Sequence, residues 1–263
     1  KYFVIENVAA FERSIEFARL NHETTSGVLR EYDFVHAVLN AADFGAPQAR
    51  KRAVVIGRHR DLSAPGLPSP THASRGAGGL EPYVTVRDAL RRVPLVPDAD
   101  AVFSQRRYEF NGRSFPGAFA RHELHWSRDY TQLSLDRFDC IPAGGNRFDL
   151  PDHLLAPCWR KHRTGSADVM GRLHLDRPSV TIRTEFFKPE KGRYLHPTAA
   201  RAITHYEAAL LQGFTDDHRF VGSRTAIARQ IGNAVPTALG AAIGRQLAGA
   251  LEATESASVE SAA

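Results

Sequence analysis

Asn40-Ala41-Ala42-Asp43-Phe44-Gly45-Ala46-Pro47-Gln48-Ala49-Arg50-Lys51-Arg52-Ala53-Val54-Val55-Ile56-Gly57 is the stretch on which the fold turns. Its last five residues are apolar and three of them are β-branched, which reads as a strand. Gly45 and Pro47 mark a tight loop before it. Arg50, Lys51 and Arg52 follow the loop, so cations stand where the strand begins. Upstream, Phe34–Leu39 reads as another strand and Phe11–Leu20 has helical spacing. Earlier still, Tyr2-Phe3-Val4-Ile5 is a short apolar run, as in a strand buried on both faces. It ends at Glu6-Asn7-Val8. Strand, helix, strand, loop and strand in that order predict a piece of an open α/β sheet.

The character changes downstream. Residues 61–82 are rich in Pro, Gly and Ser and read as a long loop or linker. Residues 83–176 carry Arg, His and aromatics among many turn signals, which predicts a second module of short strands and loops. Pro178–Arg183 reads as a strand. Thr204 and Glu207 form a T-x-x-E capping box, so a helix starts there and stops near Gly213. A last helix has Pro236 in its first turn and Leu239, Ala242, Ile243, Leu247 and Leu251 on one face. From Glu252 the tail of Ser, Ala and Glu is expected to be disordered. The expected domains are 1–58, 59–224, a returning helix at 225–251, and the tail 252–263.

Of the 34 basic residues in the 263-residue chain, 29 are arginines, and the net charge is +5. Arginine forks suit phosphate oxygens and guanine edges, although a basic surface can also be merely solvated. Two cysteines, Cys140 and Cys158, argue against a disulfide scaffold and fit a reducing cytoplasm. No apolar run approaches the ~18 residues that span a bilayer, so no membrane partner is expected. KYFVIENV reads as a strand rather than a charged leader. The first residue is Lys, which suggests a fragment or a processed product.

Four segments, in order, resemble the sequence blocks of the DNA cytosine-5 methyltransferase family. The first is Glu6-Asn7-Val8. The second is Gln48-Ala49-Arg50-Lys51-Arg52 with its preceding Phe44-Gly45-Ala46-Pro47 turn, similar to the family's Q-x-R-x-R block. The third runs from Arg177-Pro178-Ser179-Val180-Thr181-Ile182 to Leu211-Gln212-Gly213-Phe214. It departs from the family pattern at Tyr206, Leu210 and Thr215. The fourth is Gln230-Ile231-Gly232-Asn233-Ala234-Val235-Pro236. The resemblance covers residues 1–58 and 177–251; the family keeps its target-recognition domain between them.

The resemblance implies part of a doubly wound, Rossmann-like S-adenosylmethionine-dependent methyltransferase sheet, with a smaller, mostly irregular and β recognition lobe. It implies a cysteine thiolate that adds to C6 of a cytosine flipped out of double-stranded DNA, which makes C5 able to take a methyl group. Glu6 would serve the ring nitrogen N3, and Arg52 the carbonyl oxygen and a phosphate, with Arg50 beside it. Gln48 would order the loop and the flipped nucleotide. Asn233, with Ala234 and Val235, would contact the cofactor. Arg106, Arg107, Arg160 and Arg163 are candidates for DNA contacts. The family's F-x-G-x-G cofactor loop and its Pro-Cys loop are absent. The chain is therefore expected to be a C-terminal part that works with a missing N-terminal half, in cis or as a separate subunit. Cys158, in Pro157-Cys158-Trp159, is expected to be a buried structural thiol rather than the nucleophile. The rival reading is a non-catalytic DNA-binding or regulatory module that retains a remnant of the fold.

Overall fold

The computed structural model describes residues 1–98, 106–161 and 164–260. These fall into two compact units. The first holds residues 1–45 and 49–83 with the helix from Thr237; the second holds 46–48 and 84–236.

In the first unit, β1 (Tyr2–Val8), β2 (Tyr32–Asn40) and β3 (Lys51–His59) form one sheet. Its order is β1-β3-β2 with both pairings antiparallel, so β1 and β2 run parallel on either side of β3. The central place goes to the strand with the unbroken apolar run, and Ala53–Ile56 are at most 1% exposed. Such a run suits a strand covered on both faces. The apolar start of β1 predicts the same for Tyr2–Ile5, but Val4 is 40% exposed and none of β1 is fully buried. In this sheet β1 is an edge, and composition does not reveal how many neighbours a strand has.

Helix α1 (Ile15–Thr25) is capped by Ser14, whose side chain accepts from Phe17 N. Phe17 packs edge-on against Phe34 and His36 of β2, at 5.9 and 4.7 Å between centroids. The segment read as a linker is tied to this unit. Short strands β4 (His72–Ala73) and β5 (Glu81–Pro82) pair in parallel, and Thr71 N donates to Asp43 O at 2.9 Å. Gln246 Nε2, on the C-terminal helix (Thr237–Glu260), donates to Pro65 O and Leu67 O, each at 3.0 Å. The break expected after residue 58 therefore lies after Tyr83.

That C-terminal helix also corrects the expected disordered tail, because it continues from Glu252 to Glu260. No Gly or Pro follows Gly249, and Ala and Glu sustain a helix. Thr254 anchors the extension: its Oγ1 accepts from Ser63 N at 3.0 Å. Among the described residues no helix is long and apolar enough to cross a membrane.

The second unit opens with α2 (Val86–Leu90), set by a Thr85–Asp88 capping box. Strands β6 (Arg107–Phe110) and β7 (Arg113–Ala120) form a hairpin, and β8 (Arg219–Val221) adds to β7. The hairpin turn, Asn111-Gly112, has φ of 48° and 68°, the left-handed pair that tight hairpins need. Helices α3 (Gln132–Cys140), α4 (Pro157–Lys161), α5 (His205–Gln212) and α6 (Arg224–Asn233) complete it. Phe119, Leu124, Phe186, Leu211, Phe220 and Ile227 sit in its core without exposure.

Helix α5 begins and ends where its sequence places it: Thr204 and Glu207 cap it reciprocally, and Gly213 closes it at φ 85°. Two other expectations change. Pro178–Arg183 is not a strand; only Ser179 makes an isolated bridge, to Gln48. The single returning helix expected over 225–251 is two helices. Asn233 ends α6 and Ala234–Pro236 separate it from the C-terminal helix, with Pro236 still in the second unit.

Candidate active site

The register of β1 on β3 opposes Glu6 to Val54 and Val8 to Arg52. Glu6 and Arg52 are thus diagonal neighbours on one face of the pair, a separation that long side chains bridge. Arg52 Nε lies 2.8 Å from Glu6 Oε1, with the side chains 14% and 26% exposed. The contact is an ion pair rather than an aligned hydrogen bond, since Glu6 Oε1 has no hydrogen-bond partner. Arg52 Nη1 also donates to Lys51 O at 2.8 Å. A carboxylate and a fixed cation therefore stand together, half-buried, in one sheet. Arg50, two residues earlier, is buried at 3% exposure.

The turn that leads into these residues is built tightly. Gly45 has φ 92°, and a Cβ there would come within 2.8 Å of the His72 ring. Only glycine meets both conditions. Ala41 N donates to Arg50 O at 3.0 Å, closing the loop across its base. Asp43 Oδ1 accepts from Asn40 Nδ2 at 3.2 Å and from Tyr83 OH at 2.7 Å. That carboxylate bond, with partial burial, raises the Tyr83 phenol above its usual range.

Gln48 has no exposed surface. Its Oε1 accepts from Ile182 N at 3.0 Å, and its Nε2 donates to Leu211 O at 3.2 Å and to Gln212 Oε1. Gln212, 1% exposed, passes the chain on: its Nε2 donates to Ile231 O and Ala234 O, each at 2.7 Å. Two buried amides thus join three sequence blocks inside the second unit. Gln48, expected to order the loop and the flipped nucleotide, has its amide fully engaged within the protein rather than turned outward.

Asn233 is exposed at the end of α6, with Ala234 and Val235 half-buried, and its amide makes no hydrogen bond among the described residues. An exposed amide that can both donate and accept fits the charged amino-acid end of S-adenosylmethionine. Gly232 beside it explains itself only in the fold: a Cβ would lie 2.5 Å from Arg183 C and Thr184 N. Helix α6 can lie on that segment only through a glycine.

The arginines divide. Arg107 is exposed and bonds only to its hairpin neighbour Ser114, and Arg160 is exposed on α4. Arg106 is committed to Glu123 at 2.6 Å, with its guanidinium 5.7 Å from the Phe119 centroid. Arg163 lies outside the described residues. Several arginines that composition assigns to charge are internal pins. Arg172, 6% exposed, donates to the carbonyls of Phe138, Ile141, His196 and Ala199. Arg201 grips Glu207 with two bonds of 2.7 and 2.8 Å. Cys158 is exposed, not buried as expected, because the one-turn helix α4 holds it at the surface.

The mixed α/β architecture is that of an S-adenosylmethionine-dependent methyltransferase fold. An E. coli prophage-encoded DNA modification methyltransferase of known structure shares it, at TM-score 0.63 and 21% identity over 95% of this chain and 70% of that one. The chain belongs to the C-5 cytosine-specific DNA methylase family, which residues 1–249 match. It is 34% identical to the type II methyltransferase M.NgoFVII of Neisseria gonorrhoeae, over 90% of this chain and 55% of that protein. It is 31% identical to M1.HphI of Haemophilus parahaemolyticus, over 92% of this chain and 55% of that protein. The chain thus spans about half the length of these relatives.

Proposed function

We propose that these residues act as the C-terminal part, or a separate subunit, of an enzyme that methylates C5 of a cytosine flipped from duplex DNA. The observation that carries this reading is the Glu6–Arg52 pair. A thiolate supplied by the other half bonds to C6 and sends electron density toward N3 and the carbonyl oxygen. Glu6 takes up a proton from solvent as the ring charge develops and donates it in a hydrogen bond at N3, while Arg52, released from that carboxylate, donates at the carbonyl oxygen. Each group is held by the sheet before the charge appears, so little reorganisation is needed. S-adenosylmethionine, when bound, supplies the methyl group, and Asn233 with the backbone of Ala234 and Val235 would hold its amino-acid end. Arg107 and Arg160 are exposed and would meet phosphates. The first unit would carry the acid–arginine pair, and the second would hold the cofactor's amino-acid end and read the target.

The test combines this chain with a polypeptide carrying F-x-G-x-G and Pro-Cys blocks and follows labelled methyl entering DNA. We expect transfer from the combination and none from this chain alone. Transfer by the chain alone would remove the two-part reading. A combination that binds DNA and transfers nothing would favour the non-catalytic module.

A further inference from the structure

The second unit contains a cavity of about 250 Å³ that none of the residues above explains. Trp126, Tyr130, Phe187 and His205 supply aromatic walls, with Arg128 and Arg224 at its edge. The rings contact one another: Phe187 stacks on His205 at 5.5 Å and 21°, and Trp126 lies 5.0 Å from the same imidazole. His205 is locked as a neutral ring. Its Nδ1 accepts from Trp126 Nε1 at 3.0 Å, and its Nε2 donates to Arg224 O at 3.0 Å. The imidazole therefore offers the cavity a π face and no charge. The two guanidinium groups lie on the rim aromatics, Arg224 at 5.2 Å from Trp126 and Arg128 at 5.9 Å from Tyr130.

The lining selects among ligands. Aromatic cages also hold organic cations, but two guanidinium groups at the edge repel a cation. A sulfonium or a methylated lysine is disfavoured for that reason. A flat ring that carries a phosphate matches both parts of the site: rings stack, and arginines meet the anion. The volume lies below the ~300–1,000 Å³ of clefts that bury a drug-sized ligand, so it suits one ring system. We propose that this cavity holds one unpaired nucleobase of a DNA strand, with its phosphate on Arg128 and Arg224. The proposal rests on the DNA reading above but uses none of the residues assigned to the target cytosine. The site holds a base displaced from the duplex while the methylation site works elsewhere on the chain.

The test uses the full chain and fluorescence anisotropy at fixed salt. The probes are a fully paired duplex, the same duplex with one bulged base, and the same bulge made abasic. We expect the bulged base to bind about fivefold tighter or more than the other two, the range of one base stacked on an aromatic side chain. Thr225 is exposed at the cavity, so Thr225→Trp fills it without opening the core. That variant and Arg128→Gln should erase the preference and leave paired-duplex affinity within about twofold. Tyr130→Phe, which keeps the ring, should retain it. Equal affinity for all three duplexes overturns the pocket and leaves the DNA reading intact. Failure to bind any duplex overturns both. A free deoxynucleoside monophosphate that competes as well as the bulged duplex overturns the assignment to a DNA strand.

Discussion

Glu6 and Arg52 form an ion pair in the resting protein, and the function proposed above gives them a charge to meet that appears only during reaction. Binding energy for DNA is spread over many phosphates, so one group at the flipped base adds little to affinity. A preorganised donor at a developing charge acts differently, and removing one typically costs on the order of 3 kcal/mol, about a hundredfold in rate. In the two-part enzyme, Glu6→Gln should slow single-turnover methylation by about that factor while DNA binding stays within a few-fold. Arg52→Ala should do the same, with some extra loss of affinity from its phosphate contact. A wild-type rate for Glu6→Gln would show that Glu6 is not the acid at N3. The two residues were legible as candidates from their blocks, but their meeting was not. It depends on β3 lying beside β1 in one register, which no local pattern encodes. Gln48 was legible as a loop organiser; its burial was not, because a glutamine looks the same in sequence whether its amide faces water or backbone.

Helices and strands declared themselves where their ends carry chemistry. Thr204, Glu207 and Gly213 set α5 by capping and by a left-handed stop, and the sequence shows all three. Strand β3 declared itself by its apolar run. The Asn111-Gly112 hairpin carried an equally plain signal, which turn chemistry alone could have supplied. The helix expected over 225–251 covered α6 but hid the break after Asn233, and the reason for Gly232 is tertiary: it is needed by the neighbouring backbone and not by the helix. Helix propensity favours Gly232→Ala by about 1 kcal/mol. Packing opposes it, because both nearest atoms are backbone and cannot swing aside. Overpacking of this kind costs about 1–3 kcal/mol, so the substitution should lower the denaturation midpoint. A rise in stability would mean that α6 sits farther from Arg183 and Thr184. Pro178–Arg183 shows the opposite error. Its β-prone residues join no strand: Ser179 N donates to Pro47 O and Ile182 N to the Gln48 side chain.

Across the molecule, buried histidines tie stability to pH. Burial pushes His205 down to about 3 and His196 down to about 4, the latter despite Glu207 nearby. His196 Nδ1 accepts from Ala199 N at 2.9 Å, which also requires the neutral ring. Both folded values lie below the ordinary 6.5. The unfolded chain therefore takes up protons that the fold refuses as pH falls from 6.5 toward 4. Stability is complete above that window and is lost through it, at up to about 1.4 kcal/mol per pH unit for each ring. Urea midpoints at pH 7 and pH 5 would check this, and His205→Phe should flatten the slope. An unchanged midpoint would mean that the rings are protonated in the fold. The arginine excess also reads differently at this scale. Composition counts every guanidinium as surface charge, whereas Arg172 and Arg201 hold backbone and carboxylate inside.

The two joined amides have a consequence for descent. Glu at position 48 or 212 would lose the donors that Gln48 and Gln212 give to backbone carbonyls, and would set a carboxylate against those oxygens. Leu would fill the space and leave Ile182 N unanswered in one case, or Ile231 O and Ala234 O in the other. Each single step leaves a buried polar group without its partner, at about 1–3 kcal/mol. A lineage can drift freely on the exposed strand β6, but positions 48 and 212 cannot escape even by changing together, because the backbone groups they answer remain. Among diverged copies of this chain, both sites should stay glutamine.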